Sequence, residues 1–250
     1  MATNDQRVSM ITGGARGIGA GAARVLHDHG WYTIVIDKLS EPYDDVRSSI
    51  DEYHQVELTD SKQLLNFTET LKGRKIDALV NNAGWNKGSE TSIDKMTMDD
   101  YDYIMNLNTR VPWMLIKALR PNLIACEGAV VNVSSVHAER TTSNNSVYAM
   151  SKGAINSMTR ALAIELGAGG VRVNAVMPGL VDTPLNAKLL EGDKSLHTFW
   201  SNACALKRSG QENEIGHLIH FLCDKTQSSF ITGQAFAADG GLLCKLTHID

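Results

Sequence analysis

Short apolar, β-rich runs alternate along the chain with longer stretches whose apolar positions recur at helical spacing. The runs that read as strands are Val8–Ile11, Thr33–Ile36, His54–Val56, Ala78–Asn81, Ala129–Val133, Val171–Val176 and Ala235–Ala238. Helical patterns fill most of the gaps, at Gly17–His29, Ser61–Lys72, Met98–Leu119, Ser151–Leu166 and Gln211–Cys223. Ala78-Leu79-Val80 and Val130-Val131 are apolar on consecutive positions, as expected of strands covered by helices on both faces. This alternation predicts an α/β protein with a doubly wound parallel sheet. With 250 residues, no internal repeat and no Pro/Ser linker, it also predicts a single domain over 1–250.

Local chemistry places several boundaries. Thr97, with Asp100 three residues on, predicts a capped start for the long central helix, and Pro121 is expected to follow its end. Gly167, Gly169 and Gly170 are expected to close the Ser151 helix and turn the chain into the next strand.

Composition removes several function classes. At 43% hydrophobic residues the chain can bury a substantial core, and a net charge of −4 offers no broad basic surface to nucleic acid. Lys72, Arg74 and Lys75 read as a solvated helix end. Cys126, Cys204, Cys223 and Cys244 are scattered with no CxxC pair or His partner at metal spacing, so reduced cysteines and no metal are expected. The polar N-terminus and the lack of an apolar run near ~20 residues predict a soluble cytoplasmic protein without membrane association.

The first strand runs into Thr12-Gly13-Gly14-Ala15-Arg16-Gly17-Ile18-Gly19, a glycine-rich turn opening a helix. Such turns bring backbone amides and a helix N-terminus up to a pyrophosphate, although the spacing here only loosely matches GxGxxG. Asp37 ends the second strand, where a carboxylate can accept hydrogen bonds from adenosine ribose hydroxyls and repels a 2'-phosphate. That argues for NAD over NADP, with Lys38 and Arg16 as the opposing evidence. Asn81-Asn82-Ala83-Gly84 at the end of the fourth strand suits a backbone packed on the ribose, or a polar turn. Tyr148 and Lys152 are four apart in a helix-compatible context, which places them on one face, one turn apart. A neighbouring ammonium favours the phenolate, so the tyrosine pKa is expected to fall toward working pH and the phenol to exchange protons. Alone, such a pair is a common coincidence.

Taken together these motifs resemble the short-chain dehydrogenase/reductase family over nearly the whole length. Thr12-Gly13…Gly17-Ile18-Gly19, Asn81-Asn82-Ala83-Gly84, Asn108, Ser134-Ser135, Tyr148-x-x-x-Lys152, Pro178-Gly179 and Asp239-Gly240-Gly241 stand in the family's order and at similar spacings. The resemblance implies a Rossmann-type fold, an NAD(P) cofactor and a catalytic tetrad of Asn108, Ser135, Tyr148 and Lys152. It alone selects Ser135 over Ser134 and Asn108 over Asn106. Ser135 would hold the substrate oxygen, Tyr148 would be the acid/base, and Lys152 would hold the phenolate and the nicotinamide ribose. Asn108 would hold a water that relays protons to Lys152. The cofactor would contact Gly13, Arg16, Gly17, Ile18, Gly19, Asp37, the Leu58 backbone, Asn82, Ala83 and Gly84. Its nicotinamide would meet Pro178, Gly179, Val181 and Thr183. Glu57 stands where many relatives have Asp, and Ala138 where many have Gly. The resemblance further implies an oligomer, most often a tetramer, built through the Ser151–Leu166 helix and the one before it. That helix carries apolar residues around well more than one stripe.

Substrate identity is expected in two regions. His137 to Asn145 is almost entirely polar, and His137 is a candidate substrate contact. Residues 185–208 carry Leu185, Leu189, Leu190, Leu196, Phe199 and Trp200, which suits either a lid that excludes water or a helix pair packed on the body. Polar walls under an apolar lid favour a small hydroxylated substrate. The reading is an NAD-dependent alcohol/carbonyl oxidoreductase. Its alternatives are an NADP-dependent 3-oxoacyl-carrier ketoreductase and, outside enzymes, an NAD-binding regulatory or scaffold protein.

Overall fold

In the computed structural model, residues 6–86, 92–189 and 194–245 are described. The chain opens with β1 (Val8–Thr12), α1 (Gly17–Asp28), β2 (Tyr32–Asp37), α2 (Asp44–Arg47), β3 (Glu52–Gln55), α3 (Ser61–Thr70) and β4 (Ala78–Asn81). It continues through α4 (Met98–Met105), a π-helical segment (Asn106–Arg110), α5 (Val111–Ala125), β5 (Ala129–Val133), α6 (Ser146–Gly167) and β6 (Arg172–Pro178). The last part holds β7 (Val181–Asp182), α7 (Pro184–Leu189), α8 (Lys194–Ala203), β8 (Gly210–Gln211), α9 (Glu212–Cys223), α10 (Lys225–Ser228) and β9 (Ala235–Ala238).

The main sheet has seven strands in the order β3-β2-β1-β4-β5-β6-β9, all pairings parallel. The doubly wound α/β expectation therefore holds, and strand order reverses at β1, whose two neighbours are β2 and β4. Parallel strands need crossovers, and two apolar layers cover the sheet. One buries Met10, Ile34, Leu79, Leu115 and Val130; the other buries Ile11, Val35, Val80, Val131 and Ile219. Alternate residues of the same strands thus feed opposite layers.

Three departures from the sequence reading have an identifiable cause. The long central helix passes Pro121 and ends at Ala125, because Asn122 donates to the carbonyls of Leu71 and Arg74 and Leu123 is fully buried. These tertiary contacts hold the helix together past the lost N–H. The same helix is widened at Asn106–Arg110. Pro112 has no N–H to donate to the Asn108 carbonyl four residues back, and its ring crowds that position. Finally, α6 starts at Ser146 rather than Ser151, after Asn144 takes a left-handed φ of 63°. Arg74, expected to be solvated, instead donates from both Nη atoms to the Glu52 carboxylate at 2.9 and 2.7 Å.

Helices α1 and α9 touch backbone to backbone. A Cβ on Gly21 would meet the Glu212 carbonyl at 2.4 Å, and one on Gly216 would meet the Gly21 carbonyl at 2.5 Å. At the far end of this contact lies a histidine cluster. The His29 and His220 rings stack at 4.0 Å, and His217 lies edge-on to His29 at 6.4 Å. His220 is buried, its Nε2 has no hydrogen-bond partner, and it stands 4.0 Å from Asp224, whose carboxylate is paired with Arg7 at 3.1 Å. Burial, reinforced by the charge of His29, pushes the His220 pKa down.

The folded chain therefore favours neutral His220, and on acidification the unfolded chain takes up that proton first. Stability from this group is full above the ordinary imidazole value of about 6.5 and is lost as pH falls through and below it. We expect the melting temperature of wild-type protein to drop more between pH 7.5 and 5.5 than that of His220→Phe, which keeps the stacking. Parallel slopes in thermal scans would disprove this.

Candidate active site

At the carboxyl ends of the strands, beside the reversal of strand order, lies a cleft of about 590 Å³. Of the site residues picked from the sequence, all line it except Gly19 and Asn108. Its two ends are built differently.

The first end is the turn from β1 into α1. Gly13 and Gly17 take φ of +66° and +65°, which only glycine adopts without strain. Gly19 does not line the cleft; a Cβ there would lie 2.3 Å from the Gly13 carbonyl and 2.4 Å from Asn82 Nδ2, so it sets how closely helix and turn pack. No side chain caps α1 and its first turn carries no acidic residue, which leaves its first amides for an anion. Asn82 Nδ2 donates to the carbonyls of Thr12 and Gly13, both at 2.9 Å, while Thr12 Oγ1 accepts the N–H groups of Asn82 and Ala83 at 3.0 Å.

Asp37 ends β2 as expected, and its two oxygens accept the Ala15 and Leu39 amides at 3.1 Å. The carboxylate is fixed, with acceptor capacity left on each oxygen. Arg16 donates to the Tyr43 hydroxyl at 3.3 Å, and Lys38 is exposed at the rim. Glu57 Oε1 accepts from the amide and hydroxyl of Thr59 at 3.2 and 2.7 Å, beside Leu58. Thus a bare helix N-terminus, a glycine turn and a carboxylate at the adjoining strand end fit a dinucleotide.

The second end lies on α6. Tyr148 falls in its first turn and Lys152 one turn later. The two serines separate clearly: Ser134 donates to the Lys152 carbonyl at 3.0 Å, while the Ser135 hydroxyl acts on the Tyr148 phenol, lowering its pKa against the larger effect of burial. Ser135 also accepts the His137 amide at 3.2 Å, which opens a short 3-10 turn over Val136–Ala138. His137 is half-buried and edge-on to the Tyr148 ring at 5.6 Å; its Nδ1 is 2.8 Å from Thr141 Oγ1, and burial lowers its pKa.

The expectation that Lys152 depresses the Tyr148 pKa is not met. Burial raises the phenol, and the Ser135 hydrogen bond acts the other way without overcoming it. Burial also lowers Lys152 to about 8. Its Nζ donates to the Val133 carbonyl at 2.8 Å and stands 5.6 Å from the centroid of the Tyr148 ring. Loss of water thus pushes both groups toward their uncharged forms.

Asn108 is 1% exposed beneath the cleft, with its amide already committed. Nδ2 donates to the Trp85 carbonyl and to Ser151 Oγ, and Oδ1 accepts the Trp85 amide. A Cβ on Gly84 would lie 3.3 Å from Lys152 Nζ and 3.4 Å from Asn108 Oδ1, so all three meet in one small volume.

Pro178 ends β6. Gly179 packs so closely on Asp239 that a Cβ would approach it to 2.8 Å. Thr183 Oγ1 accepts the Asn186 amide at 3.1 Å, and the Val181 carbonyl accepts from Asn186 Nδ2 at 2.7 Å. Between them, Asp182 accepts from His197 at 3.1 Å and Gln211 at 2.8 Å, tying α8 to this strand.

Of the apolar stripe in 185–208, Leu196 and Trp200 line the cleft, and Phe199 is exposed and packs edge-on against Trp200. Leu190 and the side chains of Leu185 and Leu189 lie outside the described residues. Sequence reading missed Trp85, Asn86, Tyr103 and Leu242 in the walls. The aromatic Trp85 directly after Gly84 was the available signal. Among the described residues no group of three His, Cys, Asp or Glu side chains could hold a metal, and no helix is long and apolar enough to cross a membrane.

Residues 13–243 match the family model described as enoyl-(acyl carrier protein) reductase. The 3-oxoacyl-(acyl-carrier-protein) reductase of Thermotoga maritima is 33% identical, with 95% of this chain and 98% of that one covered. The 7alpha-hydroxysteroid dehydrogenase of Bacteroides fragilis is 30% identical over 95% of each. Among solved structures, the ligand-free aldohexose dehydrogenase of Thermoplasma acidophilum superposes with a TM-score of 0.88 at 28% identity, covering 98% of this chain and 96% of that one. An acyl carrier, a steroid and an aldohexose figure in those names, so shared ancestry does not select a substrate. With its glycine turn, its Tyr148–Lys152 helix and this match over nearly the full length, the chain belongs to the short-chain dehydrogenase/reductase family of NAD(P)-binding oxidoreductases.

Proposed function

We propose that this oxidoreductase uses NAD to interconvert a secondary alcohol and a ketone on a small polar substrate: a sugar, polyol or hydroxy acid. The carrying observation is that one cleft is lined by Ser135, Tyr148 and, one helical turn on, Lys152, together with the fixed carboxylate of Asp37. Residues 1–250 act as one domain, with 185–208 as its substrate lid.

When bound, the nicotinamide supplies the hydride acceptor for oxidation, or the donor for reduction. Gly13, Arg16, Gly17, Ile18 and Gly19 form the pyrophosphate turn, and Asp37 and Leu58 take the adenosine end. Asn82, Ala83 and Gly84 back the ribose; Pro178, Gly179, Val181 and Thr183 hold the carboxamide. Ser135 donates to the substrate oxygen, and Tyr148 takes its proton in oxidation or returns it in reduction. Lys152 stabilises the phenolate as it forms, since an ammonium beside it offsets the charge that burial penalises. Asn108 acts as a positioning residue: with its amide on Trp85 and Ser151, it holds the floor against which Lys152 rests.

Substrate class rests on the walls. His137, Thr142, Ser143, Asn86 and Asn186 are polar, while Trp85 and Trp200 offer flat apolar faces. Polyols present both kinds of surface. Arg16 and Lys38 at the rim support the runner-up, an NADP-dependent 3-oxoacyl-carrier ketoreductase.

A screen of sugars, polyols, hydroxy acids and ketones with both coenzymes, followed by reduced-nicotinamide absorbance, tests the reading; turnover of hydrophobic ketones alone would refute the substrate class. Tyr148→Phe should lower kcat by at least about 10²-fold, the scale of a lost acid/base, while NAD affinity changes little. Normal turnover would remove Tyr148 from the chemistry and favour a binding or scaffold role. Replacing Asp37 by Ala together with Lys38→Arg should shift the NADP/NAD ratio of kcat/KM upward by about tenfold or more, as expected for a charged hydrogen bond exchanged for a cation. An unchanged ratio would sink the NAD assignment.

The protein also self-associates in this proposal, with a tetramer favoured. Ile164 on α6 is 83% exposed, and Met150 on α6 and Trp113 on α5 are exposed as well. Light scattering at micromolar concentration should give a multiple of 27.2 kDa, and a monomer would contradict it.

A further inference from the structure

We propose that Asp182 and His197 are positioning residues: their hydrogen bond latches α8 over the cleft and ties it to β7, at the point between Val181 and Thr183. The inference rests on the reading of 185–208 as the substrate lid.

Helix α8 is held unevenly along its length. Among its described side chains only Ala203, at the C-terminal end, is buried. That end is pinned by backbone: the Leu206 amide donates to the Gly240 carbonyl at 3.0 Å, and a Cβ on Gly240 would lie 3.4 Å from that of the buried Cys204. Ser195, Leu196, Thr198 and Phe199, toward the other end, are exposed. At 1.5 Å per residue, His197 stands about 9 Å along the helix from Ala203, in the part that burial does not fix. Leu196, directly before it, and Trp200, three residues on, line the cleft, so any swing of α8 about its base moves both.

His197 Nε2 donates to Asp182 Oδ1 at 3.1 Å, and Ser201 Oγ, one turn further along α8, stands 3.5 Å from Nδ1. A hydroxyl donating to Nδ1 leaves the proton on Nε2, so the bond to the carboxylate needs no charge on the ring. Asp182 is anchored elsewhere. Its other oxygen accepts from Gln211 Nε2 at 2.8 Å, and its strand pairs with β8, Val181 beside Gly210 and Asp182 beside Gln211. Gln211 in turn caps α9, whose Gly216 packs on the backbone of α1. The carboxylate thus belongs to the body that carries the glycine turn, and the imidazole to the lid. The two side chains are 43 and 44% exposed, so water can replace either partner. A pair this exposed is weak, which suits a latch that opens at every turnover.

The test replaces His197 by Phe, which keeps a ring and loses the donor, and by Gln, which keeps an N–H of similar reach. Quenching of Trp200 by acrylamide, read as the difference from the same protein carrying Trp200→Phe, reports on the lid with no substrate present. An exposed pair shifts a two-state population by up to about fivefold, so His197→Phe should raise the Trp200 quenching constant by about twofold, and His197→Gln should restore most of the shielding. In an Asp182→Ala background, His197→Phe should add nothing. Unchanged quenching in His197→Phe, no rescue by Gln, or an effect that persists without Asp182 overturns the latch. In turnover of the alcohol that the coenzyme screen finds best, His197→Phe should raise KM for the alcohol by about two- to fivefold with kcat not lowered, because saturating substrate itself holds the lid. A loss of kcat at unchanged KM overturns the positioning role. Exposure of Trp200 as expected, with no alcohol oxidised by the wild type, upholds the latch and counts against the function proposed above.

Discussion

Everything at the cleft depends on a small polar knot where β1 and β4 lie side by side. Thr12 Oγ1 holds the amides of Asn82 and Ala83, Asn82 returns two hydrogen bonds to the carbonyls of Thr12 and Gly13, and the Gly13 amide reaches across to the Ile36 carbonyl. Three strand ends are thereby fixed relative to each other. The knot uses groups that a reversal of strand order leaves unpaired, because crossovers depart in opposite directions from this point. A glycine turn can then hold its positive φ values without drifting, and α1 starts where its free amides face the cleft. The backbone contact of Gly21 and Gly216 with the opposing helix fixes α1 one turn further on.

The Tyr148–Lys152 end of the cleft obeys a different constraint, the exclusion of water. The floor of the cleft is so well packed that both Lys152 and Tyr148 shift toward neutrality before any ligand charge is considered. A buried ammonium and a buried phenolate are each costly alone, whereas together each lessens the other's cost. The cleft is therefore built so that charge on one group is favourable chiefly when charge develops on the other. Preorganisation of this kind needs the supporting layer to be rigid, and the bonds of Asn108 to Trp85 and Ser151 supply that rigidity from below.

The fold was largely legible in the sequence because it rests on periodicity: runs such as Ala78-Leu79-Val80 declare strands covered on both faces, and each predicted strand lies in the sheet. Asp37 and the glycine turn were legible for a related reason, since backbone geometry restricts which residues can stand there. What escaped depends on contacts distant in sequence. The persistence of α5 past Pro121 comes from Asn122 reaching the carbonyls of Leu71 and Arg74. Ser134 and Ser135 are chemically identical neighbours that residue chemistry does not separate: the resemblance selected Ser135, and it took the fold to direct Ser134 onto the Lys152 carbonyl. The direction of the Tyr148 shift failed for the same reason: spacing reports proximity of a cation but says nothing about loss of water.

The widened turn at Asn106–Arg110 has a meaning for how such a chain can change over time. A π turn holds one residue more than an α-helix needs over the same span, so it behaves as an insertion absorbed without breaking the helix. Losing that residue would restore regular winding and turn everything on its N-terminal side by about 100° relative to α5. Tyr103, which packs edge-on against Trp85, would leave the cleft wall altogether. Single-residue deletions along this helix are therefore unequal: upstream they are shifts of phase, and beside Asn108 they dismantle the floor. The length of this segment is under tighter constraint than the identity of most of its residues.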